Sequence, residues 1–78
     1  SVVMYPNPAS DYVMLSNPQS LNLDRAAIYD LTGRLVQDVN LTDMGTEISI
    51  DVSYLASATY MVLIQGENGQ VTKQLIKE

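Results

Sequence analysis

The chain has 78 residues and a mass of 8.6 kDa, enough for one domain near the lower size limit for folding alone. It contains no Cys, His, Phe or Trp. Disulfides, thiolate metal sites and catalytic sites with a histidine base are therefore excluded. Four basic and nine acidic residues give a net charge of −5, which disfavours binding to nucleic acids and anionic membranes. The composition argues against a self-contained enzyme, and we expect no cofactor or metal.

No apolar run is long enough to cross a bilayer. The start of the chain lacks the basic residues of a signal peptide, and Ser1 stands where an initiator Met would be. We therefore expect one domain over residues 1–78, as a fragment of a longer secreted or surface protein whose targeting segment lies upstream.

Alternation of polar and apolar residues predicts about seven short strands, and no stretch keeps the apolar period of a helix. The predicted strands are residues 2–4, 11–15, 25–31, 35–41, 47–53, 59–65 and 70–77. This pattern favours an all-β fold, a small immunoglobulin-like antiparallel β-sandwich. The side chains predicted to share a face are Val13 with Leu15 (inward); Ala27, Tyr29 and Leu31 (with Tyr29 in the core); Leu35, Val39 and Leu41; Ile48, Ile50 and Val52 (inward); and Tyr60, Val62 and Ile64.

Turn residues divide these strands. Asn68-Gly69 predicts a type I′ hairpin, in which both central residues need positive φ. Residues 30–34 predict a type I turn followed by Gly33 in the left-handed region, with a bulge. Pro6 and Pro8 have no N–H to donate, so the segment around them should end the first strand.

The polar residues offer little chemistry. The aspartates at 24, 30, 38, 43 and 51 lie in or beside predicted turns, where backbone capping is favoured over calcium binding or a glycosidase pair. The serines have no adjacent base that could activate them as nucleophiles. Asn40-Leu41-Thr42 matches the N-glycosylation triplet, but a match of three residues is common by chance. Tyr60 suits a corner tyrosine that donates its hydroxyl to nearby backbone. A contact surface that stacks on sugars or bases stays open as an alternative for Tyr5, Tyr12 and Tyr54.

The last strand contains both lysines of the chain, Lys73 and Lys77. Alternation places them on the same side as Val71 and Leu75, which can point inward, so one or both lysines should emerge past the edge of the core. Ile76 then faces the other way. Charges on such a strand often only prevent aggregation, but an edge strand also suits docking by strand addition.

Four segments together resemble one family. Residues 5–11, 28–36, 50–60 and 71–77 are similar, in this order, to the motifs YPNPxxD, vyDltGrlv, idvSxLxsGxY and xxtxKlvK. They resemble the C-terminal sorting domain of the type IX (Por) secretion system of Gram-negative bacteria, over residues 4–78. The chain departs from the pattern at Ala58, where the family has Gly, and at Glu78, which follows the basic residue on which many relatives end.

The resemblance implies an export signal that directs an attached upstream cargo through the periplasm and across the outer membrane to the surface. It implies recognition by the type IX machinery and, in many members, removal by a sortase-like peptidase. The implied recognition residues are Lys73, Leu75, Ile76 and Lys77, and the structural hallmarks are Pro6, Asn7, Pro8, Asp30, Gly33, Leu55 and Tyr60. The alternatives are a glycan- or protein-binding accessory module of a surface enzyme and a spacer between domains.

Overall fold

The structure is a computed structural model that describes residues 2–78. Within that range the chain forms seven strands and no helix, so nothing helical there is long and apolar enough to cross a bilayer. The strands are β1 (Val3–Tyr5), β2 (Tyr12–Ser16), β3 (Leu23–Tyr29), β4 (Leu35–Asn40), β5 (Glu47–Asp51), β6 (Ala58–Gly66) and β7 (Gly69–Lys77).

The strands form two antiparallel sheets, with the orders β1-β2-β5 and β4-β3-β6-β7. All predicted strands are present, each bounded within two residues of its prediction. The predicted all-β sandwich is confirmed, and its arrangement is consistent with an immunoglobulin-like fold.

The core lies between the sheets and consists mainly of aliphatic side chains. Fully burying a Val, Leu or Ile side chain stabilises a fold by roughly 1.5–3 kcal/mol. The inward faces predicted for β2, β5 and β6 are confirmed, with Ile48 partly buried and the others buried. Tyr60 supplies the one aromatic ring of the buried set. The buried apolar residues of these three strands and the segment after β5 are Val13, Leu15, Ile50, Val52, Tyr60, Val62 and Ile64.

The prediction for β3 is wrong in part: Ala27 and Tyr29 alternate onto one face, but Tyr29 is not in the core and Leu31 is not in the strand. Ala26 and Ile28 pack in the core cluster, whereas Tyr29 is half-buried and outside that cluster. The strand ends at Tyr29, so Leu31 lies in the following turn and is 70% exposed. The run Ala26-Ala27-Ile28 is apolar and buried at every position. Alternation therefore cannot tell the two faces of this strand apart.

The prediction for β4 is wrong in part. Leu35 is exposed, whereas Val39 packs against the core and Leu41 is buried. Ile28 of β3 pairs with Gln37, but the next residue, Tyr29, pairs with Leu35. The extra residue on β4 is a bulge, and it reverses the alternation between Leu35 and the rest of the strand.

The turn between β3 and β4 is confirmed. Gly33 has φ of 88° and donates its N–H to the Asp30 carbonyl at 3.0 Å. Asp30 N–H donates in turn to the Arg34 carbonyl at 3.0 Å. Asp30 Oδ1 accepts hydrogen bonds from the N–H groups of Thr32 and Arg34 at 2.9 and 3.1 Å. This carboxylate therefore organises the whole turn.

The type I′ turn predicted at Asn68-Gly69 is wrong. Gly66 pairs with Gly69, so Glu67 and Asn68 form the connection between β6 and β7. Only Gly69 has positive φ here, at 123°, whereas a type I′ turn needs two such residues. Glu67 N–H donates to the Asn22 carbonyl at 2.9 Å, a tertiary contact that holds this end of the hairpin. The sequence pair alone does not reveal that contact.

Candidate recognition strand

β7 lies at the edge of the four-stranded sheet. It pairs with β6 along its whole length, from Gly66 with Gly69 to Ala58 with Lys77. Because side chains alternate along a strand, the predicted recognition residues fall on two faces. Lys73, Leu75 and Lys77 belong to the core-side set, and Ile76 belongs to the outer set, as predicted.

Leu75 is fully buried in the core, opposite Tyr60 in the β6 register. Its inward position was predicted and is confirmed. Val71 was predicted to point inward too, but it is 43% exposed. It borders an apolar cavity of about 150 Å³, together with Leu21 and Ile64, at the end of the sandwich where the β6–β7 hairpin turns. Leu75 is therefore the apolar anchor of β7.

The two lysines differ from the two arginines in their partners. Arg25 and Arg34 form ion pairs with Asp38 and Asp30, at 2.9 and 3.2 Å. Among the described residues no ion pair includes either lysine. Both lysine ammonium groups therefore remain without an Asp or Glu side-chain partner within residues 2–78.

The lysines also differ from each other in burial. Lys77 is only 9% exposed, and its Nζ donates to the Glu78 carbonyl at 3.2 Å. Lys73 is half-buried. Of the pair, Lys73 is the one that emerges at the edge, while the methylene stem of Lys77 stays covered by the protein.

The outer face of β7 is uncharged. Its alternate residues are Gln70, Thr72, Gln74 and Ile76. Ile76 is 41% exposed, and it pairs with Thr59 of β6. The next outward residues of β6, Met61 and Leu63, are half-buried opposite Gln74 and Thr72. A partner approaching this face meets apolar and amide side chains.

The segment around Pro6 and Pro8 reaches the free backbone edge of β7. Asn7 Nδ2 donates to the Gln74 carbonyl at 2.7 Å, and Asn7 Oδ1 accepts from Ile76 N–H at 2.9 Å. Ala9 N–H donates to the Ile76 carbonyl at 2.8 Å. Glu78 N–H donates to the Ala9 carbonyl at 2.8 Å. The Pro-Asn-Pro motif was predicted only as a structural hallmark, and its contact with β7 was missed.

The tyrosines divide into one corner residue and scattered surface residues. Tyr60 donates its hydroxyl to the Ala56 carbonyl at 2.7 Å, which confirms the predicted corner. Tyr5 and Tyr12 are exposed on neighbouring strands of the smaller sheet. Tyr54 instead donates its hydroxyl to Gln37 of β4, in the other sheet. Tyr54 itself lies in the turn after β5, so the three exposed rings do not all lie on one sheet.

The other hallmarks have structural positions. Leu55 is buried in the core, and its N–H donates to the Val52 carbonyl at 3.1 Å. Ala58, which stands where the family has Gly, begins β6 and does not have positive φ. Its side chain therefore causes no left-handed strain. Pro6 and Pro8 are exposed and follow the end of β1, as predicted.

The acidic residues serve structure in several ways. Asp38 lies within β4 rather than beside a turn, and the guanidinium of Arg25 lowers the pKa of its carboxyl by hydrogen bonding. Asp51 accepts from the hydroxyl and N–H of Ser53 at 2.6 and 2.9 Å, and these bonds lower its pKa. Across residues 2–78 there is no group of three or more acidic side chains that could hold a metal ion.

Comparison with known families and proteins gives one match. The family described as the secretion system C-terminal sorting domain matches residues 3–78. No curated protein and no solved structure matches the chain. The family match spans nearly the whole chain and agrees with the four motifs and the sandwich fold. The chain therefore belongs to the secretion system C-terminal sorting domains, the signals that direct proteins through type IX secretion to the cell surface or the extracellular space.

Proposed function

We propose that the chain is a single sorting domain that presents β7, held in the folded sandwich, to the type IX machinery. Its cargo precedes it in a longer protein and crosses the periplasm before the outer membrane. A sortase-like peptidase then removes the domain, which is a substrate and performs no catalysis of its own. The observation that supports this most is the outer face of β7, where an exposed Ile76 lies on an uncharged edge.

The four proposed recognition residues have different tasks. Ile76 offers an apolar contact to the machinery, and Lys73 offers an ammonium group that no carboxylate of residues 2–78 pairs with. A charge of this kind at the rim of an interface sets orientation and association rate. Leu75 and Lys77 are buried, so in the folded domain they hold the strand rather than touch a partner.

The direct test removes residues 73–78 from the full-length protein. We expect the cargo to stay inside the cell, because the deletion removes both the anchor and the exposed contact of β7. Surface display is measured by labelling intact cells with an antibody against the cargo. Delivery at the normal level would contradict the proposed function.

A finer test separates recognition from folding. Ile76→Ser removes the exposed apolar contact, and Leu31→Ser makes the same change at a site in the β3–β4 turn that is 70% exposed. Circular dichroism should show both variants folded. We expect export to fall several-fold for Ile76→Ser alone. Equal export of the two variants would remove Ile76 from the recognition surface.

A further inference from the structure

The free edge of β7 is closed over its last part. The carboxamide of Asn7 supplies a donor to Gln74 and an acceptor to Ile76, as one peptide group of a neighbouring strand would. The backbone of Ala9 supplies the next donor and acceptor, to Ile76 and Glu78. Four successive outward backbone groups, three at the end of β7 and the N–H of Glu78 just after it, are therefore paired.

Before Gln74 the same edge is open. In an antiparallel pair, residues that bond to the partner strand alternate with residues whose N–H and C=O point away. Ile76 directs both groups away from β6, so Thr72 and Gln70 do the same. β6 is the only strand beside β7 in residues 2–78. A strand added by a partner can therefore pair around Thr72, but beyond Gln74 it meets Asn7.

The two prolines prepare Asn7 for this contact. Pro6 and Pro8 have fixed φ angles, and the residue before a proline is restricted to extended conformations. Asn7 is such a residue, so its backbone has few alternatives. The bonds it forms span 67 and 69 residues along the chain. They join the segment after β1 to β7.

We propose that Asn7 is a positioning residue for export. Its carboxamide clamps the end of β7, keeps Ile76 outward and Leu75 inward, and closes the edge beyond Gln74 to other strands. The role in export rests on the proposed function, whereas the clamp itself is a property of this chain and can be measured without export.

The first experiment compares Asn7→Ala with Asn40→Ala by amide hydrogen exchange of the 78-residue chain. Asn40 instead makes short local bonds, to the N–H and hydroxyl of Thr42, and it lies in β4, at the opposite edge of the sheet from β7. We expect Ile76 to exchange at least tenfold faster in Asn7→Ala only. Leu63 of β6, whose backbone groups face Ala27 of β3 and not β7, serves as the internal reference for global unfolding. Unchanged protection of Ile76 relative to Leu63 would overturn the clamp.

The second experiment uses acid to restore the lost donor. A carboxylate only accepts hydrogen bonds, whereas a protonated carboxyl has one donor and one acceptor, as the amide does. Asn7→Asp should therefore be destabilised at pH 7 and recover relative to wild type below about pH 4, where carboxyls protonate.

Asn40→Asp is the matched control, because Asn40 uses only its oxygen and a carboxylate preserves both bonds. Its stability relative to wild type should fall, not rise, on acidification. Stability is measured by denaturant unfolding at pH 7 and pH 3. The same direction of change in both variants would overturn the need for a donor at position 7.

Export then decides the positioning role. In the full-length protein we expect Asn7→Ala to lower surface display of the cargo several-fold and Asn40→Ala to leave it unchanged. Normal export of Asn7→Ala, with Ile76 shown to be unprotected, would overturn the positioning role. If deletion of residues 73–78 leaves export intact while Asn7→Ala still exposes Ile76, the proposed function fails and the clamp stands.

Discussion

At the residue scale, one local contact recurs at three turns. In each, Oδ1 of an Asp or Asn accepts hydrogen bonds from both the N–H and the hydroxyl of the residue two positions later, an arrangement that fixes a turn. The Asn40-Leu41-Thr42 triplet, which also fits a glycosylation site, is one of them. The pairs are Asp30 with Thr32, Asn40 with Thr42, and Asp51 with Ser53, and in each the backbone nitrogen lies 2.9 Å from Oδ1.

These contacts predict how stability depends on pH. Hydrogen bonds from Thr32 and Arg34 lower the pKa of Asp30, as those from Ser53 lower the pKa of Asp51. Since both values are lower in the folded state, the unfolded chain binds more protons in acid. The stabilisation is present above the ordinary carboxyl pKa and is lost as pH falls from about 4 through the folded values.

We expect the double variant Asp30→Asn, Asp51→Asn to lose less stability between pH 7 and pH 3 than the wild type. Its amides keep the accepting oxygen but do not titrate. The measurement is denaturant unfolding at the two pH values. Asp38, whose pKa is lowered by Arg25, should account for part of the dependence that remains. An equal loss in variant and wild type would refute the assignment.

A second prediction concerns Tyr60. Tyr60→Phe keeps the buried ring and removes only the hydroxyl bond to Ala56. We expect the free energy of unfolding to fall by about 1 kcal/mol, the usual net value of one hydrogen bond. Tyr54→Phe is the control, because Tyr54 is exposed and its bond to Gln37 competes with water. Equal effects of the two changes in urea unfolding would argue against the corner bond.

At the element scale, much of the fold could be predicted, because strand patterns are local. Residues 47–53 alternate without a break, so both β5 and its inward face were predictable. The faces of β3 were not, because it is apolar at adjacent positions, and the bulge on β4 leaves no sequence signal. The clamp by Asn7 joins groups at opposite ends of the chain. No local sequence pattern indicates such a contact. Of the candidate recognition site, β7 could therefore be predicted from the sequence, but its contact with Asn7 could not.

The anchoring of β7 gives the prediction at this scale. Leu75→Ala should lower the free energy of unfolding by about 2–5 kcal/mol, the range for a buried leucine. Val71→Ala, on the same side of β7 but 43% exposed, should cost much less. Urea unfolding of both variants measures the difference. Similar losses would show that β7 is held uniformly by its backbone pairing with β6 rather than by one side chain.

At the scale of the whole molecule, the recognition surface depends on folding. Ile76 faces outward because Leu75 is buried in the core and β7 is paired with β6 on one edge and with Asn7 and Ala9 on the other. Stabilities of native domains are commonly only about 5–15 kcal/mol, and small domains bury the least surface. A single core substitution far from β7 can therefore remove the surface while leaving its sequence unchanged.

Leu15→Ala tests whether export reads the folded domain or the sequence of its last strand. Leu15 is fully buried in β2, in the sheet opposite β7, and its truncation should cost about 2–5 kcal/mol. We expect surface display of the cargo to fall in step with the folded fraction measured by circular dichroism of the domain. Leu31→Ala, in an exposed turn, should change neither quantity. If a Leu15→Ala domain that is shown to be unfolded still delivers its cargo at the normal level, the machinery reads β7 as an extended peptide, and the surface formed by Ile76 and Lys73 in the sheet has no part in export.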